Sequence, residues 1–301
     1  MNTPIVIDAC TLINLLRIDE DDNFLYKHLK SFEVHIAETV YNEIRKNVFR
    51  NAISKTDEKR IDTLLPLLPL EFKLHQDEEI KRIVGNEYFE QICSFSGHTK
   101  KFNGELISSV LALVLSRFEE SKVCFLTDDF PAKEEFSSFF TIQQIGLIED
   151  SIDLLLMFHW SNSDFTKRNL ENVLFDLKAE YNRTQSAFVG GILKLKSNYK
   201  QGSSIRKIIE NIADSFYNKR NIEEYTKCLK EIEISSEGTN AVDQAISSIS
   251  DNGQSISYAN EVTKYFTTAT DDELFTGFSM LLSRYRRVKV VYPKINDEKN
   301  S

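Results

Sequence analysis

The sequence predicts an α/β fold, a parallel sheet with helices on both faces over residues 1–160, followed by a mostly helical region over 161–301. Three observations carry that expectation. Short β-branched runs alternate with helix-spaced segments, as the buried strands of a parallel sheet do. Glycine (10) and proline (5) are scarce among 301 residues, which leaves few residues for tight hairpins. Phenylalanine is plentiful (21) and supplies apolar bulk for one large core or two ordinary ones.

Ile5-Val6-Ile7 is the first expected strand, ended by Asp8, and Leu12, Leu15 and Leu16 follow at helical spacing. Val34-His35-Ile36 is the second strand, and Glu38–Ile44 starts another helix. Residues 55–95 are charged and mainly helical, with interruptions at Pro66 and Pro69, and Gly97–Gly104 is a loop by composition. Glu105 opens a helix with Leu106, Val110, Leu113, Val114 and Phe118 largely on one side. Val123–Thr127 is the clearest strand and ends in Asp128-Asp129. A fourth strand is expected near Phe139–Ile142 and a helix through Ile152–Phe158. Beyond residue 160 the chain reads as helices broken near Gly190-Gly191, Gly202-Ser203-Ser204, Gly238 and Asn252-Gly253. Only Val288–Tyr292 there looks strand-like, and 294–301 is a polar tail.

A composition of 41% hydrophobic and 28% charged residues is that of a globular chain. No apolar run reaches the ~18–20 residues of a membrane span, and Met1–Asp8 has neither a basic start nor a small-residue cleavage site. Cys10, Cys93, Cys124 and Cys228 form no CxxC pair, so neither a zinc site nor a disulfide framework is expected. The expectation is a reduced, cytoplasmic protein without a membrane partner. Net charge is −9, but residues 1–160 hold 17 Lys+Arg against 27 Asp+Glu, whereas 161–301 hold 20 against 19.

The acidic half contains the candidate chemistry. Parallel sheets bind ligands beyond the carboxyl ends of their strands, and Asp8 and Asp128 each follow a strand, so they should share one edge. Glu43, in the first turns of a helix, and Glu105, after a glycine, join them. Clustered carboxylates repel unless a cation neutralises them, and hard oxygen donors suit Mg²⁺ or Mn²⁺. Such an ion polarises a phosphoryl oxygen and lowers the pKa of a bound water. The candidate catalytic residues are Asp8, Glu43, Glu105 and Asp128. The candidate metal ligands are these four and Asp129, with Asp128 preferred over Asp129 because it lies nearer the strand end.

These segments resemble the PIN-domain nuclease family, in Ile5–Asn14 (IVIDACTLIN), Val40–Ile44 with Glu43, Gly104-Glu105-Leu106-Ile107, Phe125–Asp129 (FLTDD), and Ile145-Gly146-Leu147 before an apolar helix. They span residues 1 to about 158, roughly half the chain. The resemblance implies a PIN-like sandwich and Mg²⁺- or Mn²⁺-dependent cleavage of phosphodiester bonds, in RNA more than in DNA. Asp8 would be the central ligand with Glu105 and Asp128 beside it, and Glu43 would ligate a second ion or position water. Because the family supplies toxins of toxin–antitoxin pairs, it also implies a toxin or defence role and a protein partner that inhibits or activates. A homo-oligomer is a further expectation. Two departures stand out: Cys10 occupies a position where the family often has a small hydroxyl or amide residue, and Glu105 replaces the commoner Asp.

Residues 167–207 hold 9 Lys+Arg against 3 acids. Lys194, Lys196, Lys200, Arg206 and Lys207 are the candidate nucleic-acid contacts, with Tyr181, Phe188 and Tyr199 interleaved for stacking. Arg284-Tyr285-Arg286-Arg287-Val288-Lys289 is a second such run, and His98 is the histidine best placed for substrate contact.

Simpler readings stand beside these. Asp8 is a good helix cap, Glu43 an ordinary surface acid, Glu105 a favourable charge at a helix start, and Asp128-Asp129 a turn. A phosphatase of the haloacid-dehalogenase type would need Asp where Cys10 stands, a dinucleotide site would need glycines after the first strand, and a response-regulator receiver orders its acids differently. The main competing function is a catalytically inactive PIN-like module that docks a protein partner.

Overall fold

The computed structural model describes residues 3–20, 22–49, 54–95, 103–118, 122–218 and 278–292, together with 224, 227, 228 and 231. His98 and the rest of the loop up to 102 lie outside the described residues. Five parallel strands form one sheet: β1 (Ile5–Ile7), β2 (Val34–Ala37), β3 (Lys73–His75), β4 (Val123–Leu126) and β5 (Gly146–Glu149), in the order β3-β2-β1-β4-β5. Ile7 stands opposite Leu126, and Ala37 opposite His75. β1, β2 and β4 are buried at every residue, which is why β1 and β4 read as unbroken apolar runs and β2 is apolar but for His35. The chain steps from β1 outward to β3 and then returns to the other side of β1 for β4 and β5. The reversal makes the gap between the carboxyl ends of β1 and β4 a topological switch point, where α/β sheets bind ligands.

The helices are α1 (Ala9–Ile18), α2 (Phe24–Leu29), α3 (Glu38–Asn47), α4 (Lys55–Leu64), α5 (Leu68–Glu71), α6 (Asp77–Val84), α7 (Asn86–Phe95), α8 (Gly104–Phe118), α9 (Phe130–Ile142), α10 (Ser151–Ser161), α11 (Lys167–Leu195), α12 (Ser204–Ala213) and α13 (Phe278–Val291). Pro66 and Pro69 fall at the starts of a 3₁₀ turn and of α5, where a missing N–H costs little. α8 is the axis of the α/β unit. Leu106–Leu115 are buried without a break, rather than on one face as its spacing suggested, and Phe118 is exposed. Each large apolar side chain so buried contributes ~1.5–3 kcal/mol, which holds the first turn of α8, and Glu105 in it, in place.

Three expectations about elements change. Phe139–Ile142 is the last turn of α9, because Phe136, Phe139 and Phe140 recur at helical spacing and are all buried. The strand follows at Gly146, where a Cβ would lie 1.9 Å from the Val123 carbonyl oxygen, so only glycine lets β5 come this close to β4. Val288–Tyr292 is not a strand: Val288 and Tyr292, four apart, are buried at the end of α13, which packs on α10. β3, three residues at a half-exposed edge, carried too short a pattern to register.

The chain forms two compact units. The first is Met1–Phe49, Ile53–Leu177 and Phe278–Ser301, and the second is Arg50–Ala52 and Lys178–Gly277. The first holds the sheet and takes back α13 from the far end of the sequence. In the second, Val189, Ile192, Ile205, Ile209, Ile212 and Cys228 form a small core. Among the described residues, no helix is long and apolar enough to cross a membrane.

Candidate active site

Asp8 ends β1 and begins α1. Its side chain makes no capping hydrogen bond to that helix. Its backbone N–H donates to the Leu126 carbonyl at 2.9 Å, which ties the ends of β1 and β4 together. Its Oδ2 accepts from Thr127 Oγ1 and from Cys10 Sγ, both at 3.1 Å. Cys10 in turn accepts from the Asp128 backbone N–H at 3.3 Å. The Cys10 thiol thus acts as a hydroxyl would, bridging Asp8 to the β4 end. Burial, then the charge of Asp8, pushes the Cys10 thiol far above its usual range, so it remains a donor and is inert as a nucleophile.

Glu105 sits in the first turn of α8, and the helix is capped by Asn103, whose Oδ1 accepts from Leu106 N–H at 3.1 Å. The same Asn103 donates its amide to the Glu105 carboxylate. Glu105 is therefore oriented rather than consumed by capping. Glu43, from α3, accepts the Gly104 N–H at 3.2 Å. A Cβ on Gly104 would come within 2.5 Å of Glu43 Oε2, so the glycine is what leaves room for this carboxylate.

The paired aspartates stand in different surroundings. Asp128 is fully buried and its oxygens are taken: Ser151 N–H donates to Oδ1 at 2.8 Å, while Asn14 Nδ2 at 2.7 Å and the Ser151 hydroxyl donate to Oδ2. Asp129 instead hydrogen-bonds with Glu105 and feels the charge of Asp8 most among its neighbours, while also capping α9 through Ala132 N–H at 3.5 Å. The cause is the period of two in extended chain. Thr127, which binds Asp8, and Asp129 point one way, and Asp128 between them points the other.

Asp8, Glu43, Glu105 and Asp129 are the acids brought together. Burial and then the charge of Asp8 raise Glu43 to about 7, Asp129 to about 6 and Glu105 well above the carboxylate range. Asp8 is itself raised, chiefly by burial. Among the described residues, Lys46 offsets Glu43 weakly. Glu105 and Asp129 lie close enough to interact directly through their carboxyl groups. Among the described residues, no three or more His, Cys, Asp or Glu side chains are placed as they stand to hold a metal ion. The donor set nevertheless fits a hard cation, with four carboxylates and no thiolate or imidazole.

Sequence reasoning missed the residues that aim two of these acids, Thr127 for Asp8 and Asn103 for Glu105, and those that hold the neighbouring Asp128, Asn14 and Ser151. Thr127 was legible in FLTDD had the strand alternation been followed one residue further. Asn14 and Ser151 gave no sequence signal, since they meet Asp128 across 114 and 23 residues.

The expected nucleic-acid contacts divide. In the second unit Lys194, Lys200 and Lys207 are exposed, but Lys196 and Arg206 both pair with Glu210, at 2.7 and 3.4 Å. Tyr181 is buried, so it is withdrawn from base stacking, and the side chain of Phe188 lies outside the described residues. The run from Arg284 to Lys289 is largely spent inside the first unit: Arg284 on Asp150 and Asp153, Arg287 on Glu149 and Asp153, and Lys289 above the Tyr285 and Trp160 rings. No family model, curated protein or solved structure matches this chain.

Proposed function

We propose that the chain is a nuclease that hydrolyses phosphodiester bonds, RNA ahead of DNA, with Mg²⁺ or Mn²⁺ as cofactor and Asp8, Glu43, Glu105 and Asp129 as the residues that would hold it. One observation carries the reading: four buried carboxylates at the switch point of the sheet raise one another's pKa values, and among the described residues Lys46 offsets them only weakly. Proteins rarely keep such a cluster without a positive partner, since each uncompensated charge costs stability. A divalent ion bound there would polarise a phosphoryl oxygen and make a bound water easier to deprotonate. The protein's own groups then have distinct work. Glu43 would ligate a second ion or position the attacking water, held by the Gly104 N–H. Asp8 is fixed by Thr127 and Cys10 so that one oxygen is occupied. Glu105 and Asp129, raised by burial and by the charge of Asp8, would ionise as ligands of the ion. The motif resemblance supports the same reading and, with it, a role as toxin or defence effector under a protein partner. The exposed lysines 194, 200 and 207 would draw the polyanion by charge alone.

The test is incubation of purified protein with RNA and single-stranded DNA in Mn²⁺ or Mg²⁺, beside Asp8→Asn. Cleavage that both EDTA and the substitution abolish is expected. Mn²⁺ binding without cleavage of either polymer would replace the nuclease with a binding module.

A further inference from the structure

We propose that α13 is a latch on the candidate site, acting through a relay of positioning residues, Arg284, Asp150, Ser151 and Asp128. The effect on cleavage rests on the nuclease reading above; the relay itself does not. Arg284 grips Asp150 with both ends of its guanidinium, Nη1 to Oδ1 at 3.0 Å and Nη2 to Oδ2 at 2.7 Å, across 134 residues of sequence. Asp150 is the cap of α10, accepting from Ile152 and Asp153 N–H at 3.1 Å each. The first residue of that helix, Ser151, gives both its N–H and its hydroxyl to Asp128. Asn14 holds Asp128 from α1, and the Asp128 N–H meets Cys10, the partner of Asp8. The next residue is Asp129, which faces Glu105.

Arg284 balances charge in this cluster, lying also 3.5 Å from Asp153, but its grip on Asp150 adds geometry to charge. Lys133 already pairs with Asp150 at 2.8 Å. A second cation in a planar, two-pronged arrangement fixes the plane of the carboxylate as well as its charge. Fixing that plane sets the first turn of α10, and the turn sets Asp128. Groups that orient metal-binding side chains in this way commonly matter about 10–100-fold.

The experiment compares the full chain with Arg284→Met, Arg284→Lys, Ser151→Ala and the exposed α13 control Val290→Thr. Amide hydrogen exchange over residues 127–132 is read first, then RNA cleavage in Mn²⁺. Arg284→Met and Ser151→Ala are each expected to speed exchange there about tenfold and to lower kcat about tenfold with KM within about twofold. Arg284→Lys should return most of both, and Val290→Thr should change neither. Should Arg284→Met fail to fold, Ser151→Ala tests the same link with α13 still docked. Unchanged exchange at 127–132 in Ser151→Ala and in every folded Arg284 variant overturns the latch. A chain that cleaves nothing refutes the nuclease reading alone, and the exchange rates then decide the latch by themselves.

Discussion

The first unit contains two buried acid clusters that differ in one respect. At the ends of β1 and β4, Asp8, Glu43, Glu105 and Asp129 meet with only a weak pull from Lys46. At the end of β5, Glu149, Asp150 and Asp153 meet Lys133, Arg284 and Arg287. Asp150 is accordingly held well below the usual carboxylate range by Lys133 and Arg284, which outweigh its burial. Glu149 still keeps a proton, at about 9, because burial and Asp153 outweigh Arg287. Acids balanced by their own chain are a structural joint. Acids that the described residues leave nearly unbalanced at a sheet's switch point are the cluster we propose to hold a cation. The sequence run Arg284–Lys289, basic and aromatic, belongs to the joint.

The contrast is broken first by neutralising one acid in each cluster. Asp8→Asn should cost cleavage roughly 10³-fold while raising the melting temperature in EDTA, because it removes a repelling charge. Asp150→Asn should do the opposite to stability, losing about 3 kcal/mol or more in denaturant titrations, since Lys133 and Arg284 are left buried without their partner. An Asp8→Asn protein that melts earlier in EDTA would mean its cluster is already compensated.

The pH dependence sharpens the same point. Carboxylates raised on folding bind more protons in the native chain, so stability falls as pH climbs from their unfolded values through their folded ones. In EDTA, Asp129 and Glu43 should weaken the protein between about pH 4 and 7, with Glu105 extending the fall upward. Saturating Mn²⁺ should flatten that fall. Glu149 gives a second fall, from its unfolded value of 4.5 up to about 9, which Mn²⁺ should leave untouched. Asp150 has the reverse sign: its contribution is present above pH 3.8 and disappears below. Equal slopes with and without Mn²⁺ would contradict the assignment.

Smaller effects test the aim of the side chains. Gly104→Ala should displace Glu43 and slow cleavage about 10–100-fold with little change in melting temperature. Cys10→Ser should leave cleavage within about twofold, because a hydroxyl can make both bonds of the thiol. Loss of activity in Cys10→Ser would show that sulfur itself is needed.

Much of the fold could be read from local pattern. β1, β2 and β4 were legible because they are buried on both faces, and α8 and α10 because they are long and apolar. What escaped depends on packing: α9 absorbed an aromatic run that resembled a strand, and α13 took its form from the α10 surface on which it lies. Three of the four site acids, Asp8, Glu43 and Glu105, were legible by position. Asp129 was blurred with Asp128 because two adjacent acids look alike until the direction of each side chain is followed. The cations that separate one acid cluster from the other could not be seen, since Arg284 reaches Asp150 only through the fold.

The most direct measurement is a calorimetric titration of Mn²⁺ into the full chain, beside Asp129→Asn, Asp128→Asn and Asp150→Asn. Binding that Asp129→Asn abolishes and that Asp128→Asn and Asp150→Asn weaken only in part is the predicted result. No binding by the unaltered chain, or binding indifferent to Asp129→Asn, would contradict the assignment of this cluster as a metal site.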